Sequence, residues 1–208
     1  MAFRSSSSIA LGCSLAAVLT LGTPVTARQA RSPLGVDSAR ITLSGTSNVH
    51  DYSLSTTDLR VTRVQLASTV AGPGFWNEVV RPGALRAFEI AIAVATLASP
   101  KPGLATNLQR AIKAQEHPDI TYRLTRTEAG AEAGTLTAIG VLRVAGVERD
   151  VTFPLVLTRG EGTLTVKGEL SLLMTDFGII PPVAAMGTLK TDPKVTIVFE
   201  TVLSIPLT

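Results

Sequence analysis

G-E-L-S-L-L-M-T-D-F-G-I-I-P-P-V-A-A-M-G-T-L-K-T-D-P-K-V-T-I-V-F-E, residues 168–200, carries a strand pattern on each flank of a connection rich in Asp, Gly and paired prolines. Leu170 and Leu172 alternate with Glu169 and Ser171 before the connection, and alternation resumes from Lys194. Successive strand side chains point to opposite faces, so this pattern marks two strands with one buried face each. The punctuated segment between them reads as an ordered loop. Nothing in it has the look of a catalytic motif; the stretch belongs to a sheet that encloses something.

The same period of two recurs outward along the chain. Leu164, Val166, Leu170 and Leu172 oppose Thr163, Thr165, Lys167 and Glu169, and Val151, Phe153, Leu155 and Leu157 share one face of residues 147–158. Residues 136–144 form another strand pattern, joined to the next by Ala145-Gly146, a two-residue hairpin signal. A second turn falls at Arg159-Gly160-Glu161-Gly162. Phe88, Ile90, Ile92 and Val94 alternate with Glu89, Ala91, Ala93 and Ala95, while residues 39–46 and 49–66 supply earlier strands and 194–203 a last one to close the sheet. Strands at this spacing make an all-β barrel or sandwich.

Two segments depart from that rhythm. Within residues 102–115, Leu104, Leu108, Ala111 and Ile112 stand at i, i+4, i+7 and i+8, which predicts one amphipathic helix of about three turns packed on the barrel as a plug or lid. Residues 69–86, with Gly72-Pro73-Gly74-Phe75-Trp76 and Arg81-Pro82-Gly83, read as a long loop anchored by Trp76.

The N-terminus carries Arg4 and then an apolar run over residues 9–21, followed by small residues at Val25-Thr26-Ala27, the pattern of a cleaved secretory signal. Residues 1–27 are therefore expected to be a signal peptide, 28–37 a flexible lead, and 38–208 one domain of periplasmic or secreted location. Leu11-Gly12-Cys13 resembles a lipoprotein acylation motif, but only three apolar residues precede Gly12, and most of the hydrophobic run would survive such a cut. Cleavage near Ala27 removes the single Cys, so disulfides and thiolate chemistry are excluded from the mature chain. No stretch approaches the roughly 20 apolar residues of a membrane-spanning helix.

Charge and composition narrow the function classes. The formal charge is +3, and loss of Arg4 leaves +2, with no basic stripe and few aromatics, so nucleic-acid binding has no support. Only two histidines are present, His50 and His117, without short ligand spacing, and no metal site is expected. No G-x-S-x-G elbow and no glycine-rich phosphate cradle occur. What is abundant is apolar strand face, which in a barrel either fills the interior or lines a cavity for one ligand. The residues alone leave both open.

Four blocks in order, Ser44-Gly45-Thr46-Ser47-Asn48-Val49-His50-Asp51, Glu116-His117-Pro118-Asp119-Ile120-Thr121-Tyr122, Gly134-Thr135-Leu136-Thr137 with Val144-Ala145-Gly146-Val147, and Met174-Thr175-Asp176-Phe177-Gly178-Ile179, resemble the YceI-like family. The resemblance spans about residues 38–199. It implies an eight-stranded antiparallel lipocalin-like β-barrel with one amphipathic helix, enclosing a long apolar molecule such as a polyisoprenoid, an isoprenoid quinone or a fatty amide. The opening block departs from the commoner family pattern in its histidine-aspartate pair, and the insertion around Trp76 is unusual, which makes the pocket mouth the least transferable part.

The reading that follows is an exported carrier, not an enzyme, using no cofactor and partnered by a hydrophobic small molecule; it has no integral membrane segment, and a homodimer is compatible with it. Phe88, Ile90, Ile92, Val94, Phe153, Leu155, Leu170 and Leu172 are expected to line the channel, Leu108 and Ile112 to close one side, and Met174, Phe177 and Met186 to border the mouth. The competing reading is an envelope structural or interaction module with a filled barrel. A third, an enzyme built on His50 and Asp51, requires a pH-dependent activity lost in His50→Ala.

Overall fold

The computed structural model describes residues 34–67, 74–184 and 188–205. The expected signal peptide and residues 28–33 of the expected lead lie outside that set, as does Met186. In chain order the elements are β1 Gly35–Ser47, β2 Tyr52–Thr56, β3 Arg60–Leu66, α1 Phe75–Val79, β4 Leu85–Ala93, α2 Leu104–Ala111, β5 Asp119–Ala129, β6 Thr135–Val144, β7 Val147–Arg159, β8 Thr163–Leu173, β9 Val183–Ala184 and β10 Leu189–Ser204. The strand pattern thus reaches back to Gly35, into the segment read as lead.

Nine strands form one curled antiparallel sheet, a half-barrel in the order β2-β1-β10-β8-β7-β6-β5-β4-β3, while β9 pairs with the start of β10. The last long strand lies between the first and β8, which joins the chain ends into the wall. The all-β, lipocalin-like architecture is therefore present, with nine strands on the path where eight were expected. The difference lies at residues 57–59, which split the predicted 49–66 strand. Thr56 accepts a hydrogen bond from the Asp58 amide at 3.0 Å and pairs with the Thr96 hydroxyl at 2.8 Å. Because Thr96 donates its own proton to the Ala93 carbonyl, Thr56 is the donor in that pair, so its buried hydroxyl both donates and accepts. A threonine that binds the amide two residues on turns the chain and ends the strand.

The hairpin between β6 and β7 needs positive φ at both turn positions, and Ala145 and Gly146 adopt φ 50° and 79°. The His117 ring lies against that turn: a Cβ on Gly146 would come within 2.6 Å of it. Two blocks distant in sequence, 116–122 and 144–147, are thus one packed unit.

Two corrections concern helices. The 69–86 region is not all loop: α1 buries Phe75, Trp76 and Val79 against Leu34, Leu164 and Leu203, at the end of the sheet where β8 begins and β10 finishes. Phe75 and Trp76 meet edge to face at 5.0 Å. Five residues give too few turns for a periodic signal, and such a helix exists only through its tertiary contacts. The second helix is shorter than predicted. Lys113 takes a left-handed conformation (φ 53°), and the Lys113 and Ala114 amides donate to the Arg110 and Gln109 carbonyls, a Schellman stop that usually carries glycine. Ile112 caps this helix and is buried beside Val94, Val144, Met174 and Phe177.

Candidate ligand-binding cavity

The inward faces of the strands leave space. One cavity, of about 190 Å³, lies toward α1 and is lined by Leu34, Leu59, Val79, Val80 and the strand residues between them. A second, of about 350 Å³, lies under α2 and is lined by Leu104, Leu108, Ala111 and Ile112 together with β1, β8 and β10 residues. Ile120 and Ile197 belong to both walls, so the inner and outer cavities abut there. β10 shows the axis most plainly: Val195 faces the outer cavity, Ile197 both, and Phe199, Thr201 and Leu203 the inner one. β8 repeats the progression with Leu172 outside and Leu170, Val166 and Leu164 inside.

Of the residues expected to line a channel, Phe88, Ile90, Ile92, Phe153, Leu155 and Leu170 stand on the inner wall, and Leu172, Leu108, Ile112, Met174 and Phe177 on the outer. Val94 is a correction. It leaves the strand period for a 3-10 turn, Val94–Thr96, is fully buried at 0% exposure, and borders neither cavity. Sequence reasoning missed the β10 face, although its alternation from Val195 to Leu203 carried the signal. It also missed Ile41, Ile120 and Tyr122 on the inner wall and Leu43, Tyr52 and Leu54 on the outer.

The polarity of the walls is one-sided. Outward faces hold exposed ion pairs, such as Lys167 with Glu200 at 3.2 Å and Arg60 with Asp119. The inner cavity is apolar apart from Tyr122, Thr127 and Thr201. Tyr122, Phe153 and Phe199 form an aromatic run along it, with ring centres 5.5 and 5.9 Å apart. Polar side chains gather instead at the outer cavity: Ser47, His50, Tyr52, Lys101, Asn107 and Thr191. His50 is exposed on this rim, while Asp51 contributes its main-chain carbonyl as acceptor for Lys101 Nζ. Among the described residues no group of three His, Cys, Asp or Glu side chains is placed to hold a metal ion, and no helix is long and apolar enough to cross a membrane.

Two phenols are perturbed. Burial pushes the Tyr122 hydroxyl well above its ordinary 10.0. Burial, with a smaller contribution from the Asp192 carboxylate, also raises Tyr52. The Tyr122 oxygen is buried over Gly140 and has no hydrogen-bond partner among the described residues. Leaving a buried hydroxyl unpaired costs about 1–3 kcal/mol. Tyr122→Phe is therefore expected to raise stability by about 1 kcal/mol, read as a rise in Tm. The raised pKa means the native state keeps a proton that the unfolded chain releases above pH 10. Below pH 10 ionisation of this phenol adds no penalty, and stability falls as pH climbs from 10 toward the native pKa. The variant should lose less stability between pH 9 and 11 than the parent; an equal loss would show that the phenol does not contribute.

A curled antiparallel sheet around an internal apolar space, stoppered by helices, defines a lipocalin-like binding fold. The match to the YceI-like domain covers residues 34–203, and the chain belongs to that family. Solved structures agree on the fold. BcnA of Burkholderia cenocepacia superposes with a TM-score of 0.60 at 17% identity, over 81% of this chain and 99% of that one. A polyisoprenoid-binding domain from Saccharophagus degradans gives 0.61 at 11%, over 85% and 100%. A YceI protein of Campylobacter jejuni gives 0.50 at 13%, over 70% and 82%. No curated protein sequence matches the chain.

Proposed function

We propose that this protein is an exported carrier that holds a long apolar molecule, of the polyisoprenoid, isoprenoid quinone or similar lipid class, non-covalently inside the half-barrel. The observation that carries this reading is the pair of abutting cavities, whose inner wall is apolar apart from Tyr122, Thr127 and Thr201 while most polar side chains gather at the outer rim. Their combined size falls within the roughly 300–1,000 Å³ of small-molecule sites. Each methylene taken from water contributes about 0.8 kcal/mol, so a chain of ten buried carbons supplies about 8 kcal/mol before ordering costs, the scale of micromolar binding. The family and the polyisoprenoid-binding neighbour support the ligand class; the N-terminal signal pattern supports export.

Native mass spectrometry of protein purified from its own host, followed by solvent extraction, tests the reading. A stoichiometric lipid recovered from the intact protein is the expected result. Absence of any lipid, together with no binding of added quinones or polyprenols, would favour a structural module instead. Sequencing the N-terminus of the exported protein should place the first residue near Arg28.

A further inference from the structure

Three strand positions on the cavity side carry no side chain, and each lies against an aromatic ring. Gly45, Gly140 and Gly168 keep step with the cavity-facing Leu43, Leu142 and Leu170 on β1, β6 and β8. Gly45 is the cross-strand partner of Tyr52 and Gly168 that of Phe199, while Gly140 meets the Tyr122 hydroxyl one diagonal step away. A Cβ on Gly45 would come within 2.5 Å of Tyr52 Cζ, and one on Gly168 within 2.8 Å of Phe199 Cε1. A ring can settle this close to a strand only where the strand offers bare backbone. The same rings are cavity lining: Tyr122 and Phe199 on the inner wall and Tyr52 on the outer, all three only partly buried.

Where these rings rest decides how much of the lumen stays open. At Gly168 everything a Cβ would meet is side chain, Phe199 and Leu155, whereas at Gly140 the Arg123 carbonyl stands in the way as well. Phe199 is flanked by Phe153, edge to face at 5.9 Å, and Leu155 closes in beside Gly168. A ring lifted off Gly168 therefore has the lumen to move into. We infer that the glycine–aromatic pairs set the bore of the cavity, and that Gly168 with Phe199 gives the inner compartment the width to take a methyl-branched chain. The inference rests on the carrier reading and adds cross-section to it: the wall selects a chain branched along its length over a straight alkyl chain. A straight chain is thinner, and it passes a displaced ring that a branched one does not.

The test uses delipidated mature protein and two saturated alcohols with the same sixteen-carbon backbone, one carrying the methyl branches of an isoprenoid and one straight, titrated by calorimetry below their solubility limits. The parent should bind the branched alcohol more tightly. Gly168→Ala should weaken that binding about tenfold, the burial lost by about two methyl groups, and barely change binding of the straight alcohol. Gly168→Ala combined with Phe199→Leu, which removes the ring the new methyl would push, should recover the branched alcohol. Phe199→Trp, a larger ring over an unchanged glycine, should repeat the selective loss and keeps the test open if Gly168→Ala does not fold, as judged by circular dichroism. Equal losses for both alcohols, no loss for either, or no recovery in the double variant would overturn the assignment of the bore to this pair and leave the carrier standing. Failure of the parent to bind either alcohol would overturn both.

Discussion

Ile197→Trp is expected to weaken binding of a C20 isoprenoid chain by about a hundredfold while barely changing that of a C10 chain. Ile197 stands where the inner and outer cavities meet, one of two residues, with Ile120, that line both. An indole there closes the passage, and a chain that needs both compartments must leave its far end in water. Four methylenes denied burial cost about 3 kcal/mol, which is slightly more than two factors of ten. A C10 chain is satisfied by the outer cavity alone. Titration of both chain lengths against parent and variant, with circular dichroism to establish that the variant folds, decides the matter. Equal losses for both lengths would mean that Ile197 does not divide the space.

Gly140→Val should lower stability by about 3 kcal/mol, a fall in Tm of about 6–12 °C for a domain of this size. A Cβ at this position would stand 2.4 Å from the Arg123 carbonyl oxygen and 2.6 Å from the Tyr122 hydroxyl. The first is main chain and cannot swing away. Gly140 pairs with Leu124, next to the irregularity between Leu124 and Arg126 where β5 steps out of register with β6. Glycine inside a strand commonly marks a bulge or a close backbone approach, and here it marks both. A thermal melt of the variant within a few degrees of the parent would remove this account.

Much of the wall was legible in the sequence because a period of two needs only the order of residues. Phe88, Ile90 and Ile92, or Phe153 and Leu155, declare a shared face without any knowledge of their neighbours. Depth along the barrel is a different quantity. Whether Leu172 stands by the polar rim and Leu164 by α1 depends on cross-strand register, and β1 alone has shifts on either side of its central ladder with β10. Thus the sequence named inward residues and could not separate two compartments. The strand break at residues 57–59 was hidden because Thr56 and its partner Thr96 are 40 residues apart.

Helix ends followed the same rule. Lys113 in a left-handed conformation has no local signature, so α2 was drawn too long at that end. α1 was invisible because its stability comes from Leu34, Leu164 and Leu203, contributed by both ends of the chain and by β8. Val94 was misplaced for the opposite reason. Its alternation continues that of β4, yet the Val94 amide donates to the Pro118 carbonyl as the chain turns, and the side chain passes into the core. The 116–122 block carries a family resemblance, and its His117 seats the β6–β7 turn.

The break after Thr56 leaves the wall with a clasp. β2 and β3 are the two edges of the sheet, and among the described residues the pairing between β2 and the segment beyond β4 is the isolated Ser55–Ala98 bridge, two backbone hydrogen bonds of 2.8 and 2.9 Å. The seams between neighbouring strands of the nine-stranded sheet are zipped by runs of pairs, six of them between β4 and β5. Free energies of local opening track how many such bonds must break together. The amides of Ser55 and Ala98 should therefore exchange with solvent as a couple, ahead of the ladder on either side, and the weakest stitch in the enclosure lies one residue from Leu54 on the outer cavity wall.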